Sequence, residues 1–228
     1  MKVVVLTGAG ISAESGLATF RDSDGLWEGH RPEDVATPEA FDADPELVQR
    51  FYDARRAGMR TVEPNAAHVA LARLQTQLGG DLFLVTQNID DLHERGGSTQ
   101  VHHMHGEILR ALCSSCGRRP LWEAPLLERP PCPHCGARAL RPDVVWFGEI
   151  PYGMDEIQHR LFAADLFVSI GTSGVVYPAA GFRQLAAMSG ARTLELNLAP
   201  SAGSADFDEA RSGPATLLVP DWVDELTR

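Results

Sequence analysis

The chain has 228 residues, of which 44% are hydrophobic and 22% charged, and carries a net charge of −11. That size suits one sizeable core, or a main domain with a smaller insertion, and the acidity without a basic run argues against a nucleic-acid partner. No apolar stretch approaches the roughly 18 residues of a membrane span, and the opening run is too short for an export signal, so a cytoplasmic, non-membrane protein is expected.

Residues 3–7 (VVVLT) form a short apolar run and are expected as a buried strand. Gly8-Ala9-Gly10-Ile11-Ser12-Ala13 follows at once. A glycine turn from strand to helix lets backbone amides approach a phosphate, so this loop is a candidate dinucleotide site. The carboxylate that an ordinary dehydrogenase places about 20 residues further on, for the ribose, is missing. That position falls at Trp27-Glu28-Gly29.

Residues 22–64 offer no strand and one helix near 45–60. Residues 65–79 read as a helix capped by Asn65 and closed before Gly79-Gly80. Strands are expected at 82–86 and 101–104. The region 106–145 holds all four cysteines and six prolines and reads as an excursion from the sheet. Strands at 165–170, 192–197 and 215–219 alternate with helical patterns at 154–164 and 178–189. This alternation predicts an α/β protein: an open parallel sheet with helices on both faces, the two excursions forming a smaller domain beside it. The expected division puts 1–25, 65–105 and 146–228 in the sheet domain. The small domain takes 26–64 and 106–145.

Cys113-Ser-Ser-Cys116 and Cys132-Pro-His-Cys135 are separated by 15 residues. Two such hooks bring four thiolates around one zinc ion, and a closed four-sulfur site is structural. His134 lies inside a hook and is expected to be exposed and unused.

Several short motifs then combine in a fixed order. They are Gly8-Ala9-Gly10-Ile11-Ser12, Thr19-Phe20-Arg21, Thr86-Gln87-Asn88-Ile89-Asp90, His105-Gly106, the cysteine hooks, Phe147-Gly148-Glu149, Gly171-Thr172-Ser173 and Asn197-Leu198. This order resembles the sirtuin family over nearly the whole chain, which implies a Rossmann-type sheet domain and a small domain made of a helical module, 26–64, and a four-cysteine zinc module, 106–145. The resemblance implies an NAD-dependent protein-lysine deacylase that consumes NAD, uses acylated-lysine proteins as substrates and releases nicotinamide and O-acyl-ADP-ribose. In that chemistry the acyl oxygen attacks the ribose after nicotinamide leaves, and a ribose hydroxyl then attacks the resulting imidate with the help of a base. It assigns His105 as that base.

By the same resemblance, NAD contacts come from Gly8 to Ser12, Ala13, Glu14, Thr19, Phe20, Arg21, Trp27, Gln87, Asn88, Ile89, Asp90, Gly171, Thr172, Ser173, Asn197, Leu198 and Ala215. Within this set Ile89 and Asp90 hold the nicotinamide amide, Gln87 and Asn88 orient the ribose, and Phe20 covers its reactive face. Ala215, at the start of the expected last strand, meets adenine. Val145, Phe147, Gly148 and Glu149 with Val175 and Tyr177 resemble the segments that hold the substrate peptide as an added strand.

Tyr52 and Arg55 are spaced i, i+3 on the helix near 45–60, so they share a face. The pair resembles the mark of class III sirtuins, which accept succinyl- and malonyl-lysine. Arg55 can pair with the terminal carboxylate of such groups, and acetyl-lysine fits the same pocket. Three other readings compete: a mono-ADP-ribosyltransferase on the same fold, a non-catalytic NAD-sensing module, and a zinc-stabilised dehydrogenase.

Overall fold

The computed structural model describes residues 1–18, 27 and 29–228. Six parallel strands form the main sheet: β1 (Val3–Thr7), β2 (Leu82–Thr86), β3 (Val101–His103), β6 (Leu166–Ile170), β7 (Arg192–Asn197) and β8 (Glu209–Ser212), in the order β3-β2-β1-β6-β7-β8. Two further strands, β4 (Gly106–Cys113) and β5 (Leu140–Val144), pair antiparallel outside this sheet. Their hairpin carries the cysteines, in a region where no strand was expected.

Alternation along β1 explains why helices cover both faces. Val3 and Val5 point to one side and pack with Leu71 and Leu74 of α5 (Ala66–Leu78) and with Val219, Trp222 and Val223 of α9 (Ala215–Leu226). Val4 and Leu6 point to the other and pack with Ile157 and Leu161 of α7 (Met154–Phe162) and Phe182 and Ala186 of α8 (Phe182–Met188). Asn65 caps α5 as expected: its side chain accepts from the Ala67 amide at 3.0 Å. The expected helix at 178–189 begins later, because a single 3-10 turn, Ala179–Gly181, precedes it.

One expected element is wrong. Residues 215–219 are the first part of α9 and not a strand, and the last strand is β8 instead. A five-residue apolar run does not distinguish a buried strand from a buried helix face. Here Val219, Trp222 and Val223 bury at i, i+3 and i+4, the helical period. Ala215 therefore sits in the first turn of a helix.

The helical part of the remainder contains α2 (Pro32–Val35), α3 (Pro38–Ala43) and α4 (Pro45–Gly58). Polar side chains on α4 tie it to the hairpin and the cysteine region. Gln49 donates to the Leu140 carbonyl at 3.1 Å, and Arg56 donates to the Ile108 carbonyl at 2.9 Å. The Asp53 carboxylate accepts from the amides of Leu126 and Leu127 at 2.9 and 3.0 Å. Val48, Phe51 and Tyr52 of α4 form a second core with Ile108, Val144 and Trp146. Among the described residues, no helix is long and apolar enough to cross a membrane.

Candidate active site

Strand order reverses between β1 and β6, and parallel sheets bind ligands at the carboxyl ends of their strands beside such a reversal. A cavity of about 700 Å³ opens there. One wall is two loops pressed together: the Gly8 amide donates to the Ile170 carbonyl and the Gly10 amide to the Gly171 carbonyl, both at 2.9 Å. A Cβ on Gly10 would lie 2.7 Å from the Gly171 Cα, and one on Gly171 would lie 2.5 Å from the Ile11 nitrogen. Only glycine allows that approach, which is the physical reason for the loop's composition.

Gly8, Ala9, Gly10, Ser12, Ala13, Trp27, Gln87, Asn88, Ile89, Asp90, His105, Gly171, Thr172, Ser173, Asn197 and Leu198 all line the cavity. So do Tyr52, Arg55, Val145, Phe147, Gly148, Glu149, Val175 and Tyr177. Three expected contacts do not. Ile11 is fully buried in the core, because it faces α5 and α9 from the first turn after the loop. Glu14 turns away, its carboxylate accepting from the Thr216 amide at 3.1 Å and the Thr216 hydroxyl at 2.5 Å, at the start of α9. Ala215 is drawn off by the helix that replaced the expected strand. Thr19, Phe20 and Arg21 lie outside the described residues.

A buried polar cluster closes one end. Asp90 is 6% exposed, and its carboxylate accepts from the Ser12 hydroxyl and the Leu92 amide, each at 3.1 Å. Burial raises its pKa against those bonds, so the group resists carrying a charge. The Asn88 side chain donates to the Gly8 carbonyl and to Ser12 Oγ, both at 3.2 Å. His68 is pushed down to about 4 by burial and is neutral at ordinary pH. Its Nδ1 accepts from the Asn65 amide at 3.2 Å, which leaves the ring proton on Nε2, facing Ser12 Oγ at 3.4 Å.

His105 Nδ1 lies 3.1 Å from the Gln87 carbonyl. A carbonyl only accepts, so Nδ1 carries the proton and Nε2 keeps its lone pair. Burial lowers the His105 pKa, which keeps that lone pair free at neutral pH. Gly106 then turns the chain into β4. Its φ is +84°, and a Cβ there would meet the Asp143 carbonyl oxygen at 2.1 Å. We expect Gly106→Ala to cost at least the ~1–2 kcal/mol of a left-handed non-glycine residue, with the clash in addition. Urea unfolding checks this; an unchanged midpoint would show that the turn relaxes freely.

At another part of the wall, Tyr52 and Arg55 of α4 enter the cavity together. The Arg55 guanidinium lies 4.4 Å over the Trp27 ring, and Tyr52 is fully buried beside Trp27, Phe51 and Trp146. Both residues face one cavity, as the i, i+3 spacing implied. Phe147, Val175 and Tyr177 are exposed as well as cavity-lining, from two segments distant in sequence.

Sequence reasoning missed two features. Trp146 lines the cavity between the named Val145 and Phe147; its partner, Tyr52, is 94 residues away and no local pattern links them. Glu195, 2% exposed on β7, binds the hydroxyls of Ser201 and Ser204 and so holds the loop that carries the cavity residues Leu198 and Ser201.

The cysteines stand apart from this cavity. All four Sγ atoms lie within 4.8 Å of one another, with Cys113–Cys135 at 3.7 Å and Cys116–Cys132 at 3.8 Å. Zinc–sulfur bonds of ~2.3 Å in a tetrahedron put the sulfurs about 3.8 Å apart, so the set fits zinc. His134 is exposed, as expected.

Residues 8–178 match the model of the Sir2 family. NAD-dependent protein deacylases of Escherichia coli O6:H1 and of Salmonella typhimurium are 57% and 55% identical to the chain over its full length, each with 84% of the relative covered. A crystal structure of a Sir2 homolog–NAD complex superposes with a TM-score of 0.90 at 39% identity, covering 99% of this chain and 89% of that one. A Sir2 protein with a deacetylated p53 peptide and 3'-O-acetyl ADP-ribose gives 0.85 at 30% identity, covering 98% and 93%.

Proposed function

From the premise that this chain belongs to the Sir2 family and is an NAD-dependent protein deacylase acting on acylated lysines, we propose that it removes succinyl and malonyl groups as well as acetyl groups. The observation that carries the proposal is the entry of Tyr52 and Arg55 into one cavity with His105. A guanidinium presents a planar fork that fits a carboxylate, and hydrogen bonds to charged groups are the strong ones. Acetyl-lysine carries no carboxylate for that fork to meet.

The other residues divide the work along the cavity. The amides of the Gly8–Gly10 and Gly171–Ser173 loops suit the NAD phosphates. Asp90, Ser12 and Asn88 form the polar, buried end that suits the nicotinamide amide. Asn197 and Leu198 suit the far ribose, and the Phe147–Glu149 and Val175–Tyr177 segments suit the substrate backbone. Nε2 of His105 is the base that takes a ribose hydroxyl proton. Zinc, when bound by the four cysteines, supplies structure and no chemistry at the reacting atoms.

The test compares matched peptides carrying succinyl-lysine or acetyl-lysine, with NAD, followed by mass spectrometry. Arg55→Met is expected to lower kcat/KM for the succinyl peptide at least about tenfold more than for the acetyl peptide, the equivalent of ~1.4 kcal/mol or more. Efficient deacetylation with no desuccinylation by the unaltered protein would sink the acidic-acyl reading and leave the family activity standing.

A further inference from the structure

We infer that Trp146 is a positioning residue for acyl specificity: its indole N–H commits the Tyr52 hydroxyl to donate into the cavity. The inference rests on the acidic-acyl reading above and extends it to a residue outside the Tyr52/Arg55 pair.

Trp146 Nε1 donates to the Tyr52 oxygen at 3.1 Å, and the two side chains are 3% and 0% exposed. An indole N–H can only donate. It therefore occupies one lone pair of the phenol, and the phenol's own proton points elsewhere. Among the described residues no acceptor takes that proton, while Tyr52 lines the cavity. Burial raises the Tyr52 pKa well above the ordinary phenol range, so the proton stays on the oxygen. A free phenol offers a ligand either a donor or an acceptor; this one offers a donor. An acyl group ending in a carboxylate satisfies it, and an acetyl methyl leaves it without a partner.

Trp146 is held rigidly enough to enforce this. Its backbone amide donates to Glu149 at 2.8 Å, and Arg141, bound to the same carboxylate at 2.6 Å, lies 4.0 Å over its ring. Glu149 belongs to the segment assigned to the substrate peptide. The peptide groove and the acyl pocket thus share one clamp.

The experiment measures the ratio of kcat/KM for matched succinyl and acetyl peptides in four proteins: unaltered, Trp146→Phe, Tyr52→Phe and the double variant. Trp146→Phe keeps the ring and deletes the donor. We expect it to lower the ratio about tenfold, and the double variant to lower it no further than Tyr52→Phe does, because without the phenol the indole N–H has no hydroxyl left to orient. Equal losses for the two peptides would reduce Trp146 to packing and overturn the inference. An unaltered protein with no desuccinylation removes the acidic-acyl reading and this inference together; desuccinylation with an unmoved ratio in Trp146→Phe removes this inference alone. Should Trp146→Phe fold poorly, Tyr52→Phe supplies the second readout. The Trp146 indole N–H resonance, assigned among the four tryptophans, must shift upfield on loss of the phenol, and an unshifted resonance overturns the inference.

Discussion

His105→Ala will leave NAD bound and lower the deacylation rate by about 10²–10⁴-fold, the usual contribution of a positioned general base. The reason is specific to one nitrogen. The Gln87 carbonyl accepts a hydrogen bond from Nδ1–H, so the ring presents Nε2 as an acceptor with its tautomer already chosen. A histidine buried and lowered in pKa also sets the pH profile. The base works only when neutral, so activity falls on the acid side as the ring gains its second proton. Because burial lowers that pKa, the acid limb should have its midpoint below the ~6.5 of a free imidazole. Two measurements check this: kcat/KM against pH, and NAD affinity of the variant by calorimetry. An acid limb centred above 6.5, or a variant with near-normal rate, would remove His105 from the role of base.

Removing zinc will have a comparably large effect by a different route. The cysteine region has a small core of its own, Ala111, Leu126 and Leu140 beside Cys113 and Cys132, with Trp122 and Ala139 partly buried against it. That is little apolar surface, and small modules of this kind fold only with their metal. The damage will not stay local. Asp53 and Gln49 bind α4 to the backbone of this module, and Tyr52 and Arg55 sit on the same helix. Cys132→Ser or prolonged chelation is therefore expected to lose the local fold, seen as amide exchange at Leu126, Leu127 and Leu140, and to lose most deacylation. Full activity in protein shown to be zinc-free would refute the structural role.

How much of this was legible in the sequence depends on where the information lies. Strands β1, β2 and β7 stand at the expected residues because their apolar runs end at polar or glycine positions. α5 was readable from Asn65 at one end and the paired glycines at the other. The cysteine cluster followed from spacing alone. β8, in contrast, is Glu-Ala-Arg-Ser, an edge strand with alternate residues exposed and no apolar run to mark it. α9 carried an apolar run too short to show its period. The β4–β5 hairpin was hidden because its register shifts between Gly106 and Ala111. In the cavity, glycine loops and His105 announce themselves through motif. The Trp146–Tyr52 bond and the grip of Glu195 on its loop join residues that only the folded chain brings together.

The central strand β1 precedes both of its sheet neighbours in the chain. Val3 pairs with Leu82 on one side and Leu166 on the other, and the amide of Lys2 reaches a carboxylate 163 residues downstream. On the ribosome, β1 emerges as an apolar segment whose second neighbour has yet to be translated. Parallel pairings of this range form late and slowly, and an unpaired apolar strand is a template for aggregation meanwhile. During translation β1 is thus the strand most in need of shielding, and the glycine loop beside it gains its packing partner only when translation has passed Gly171.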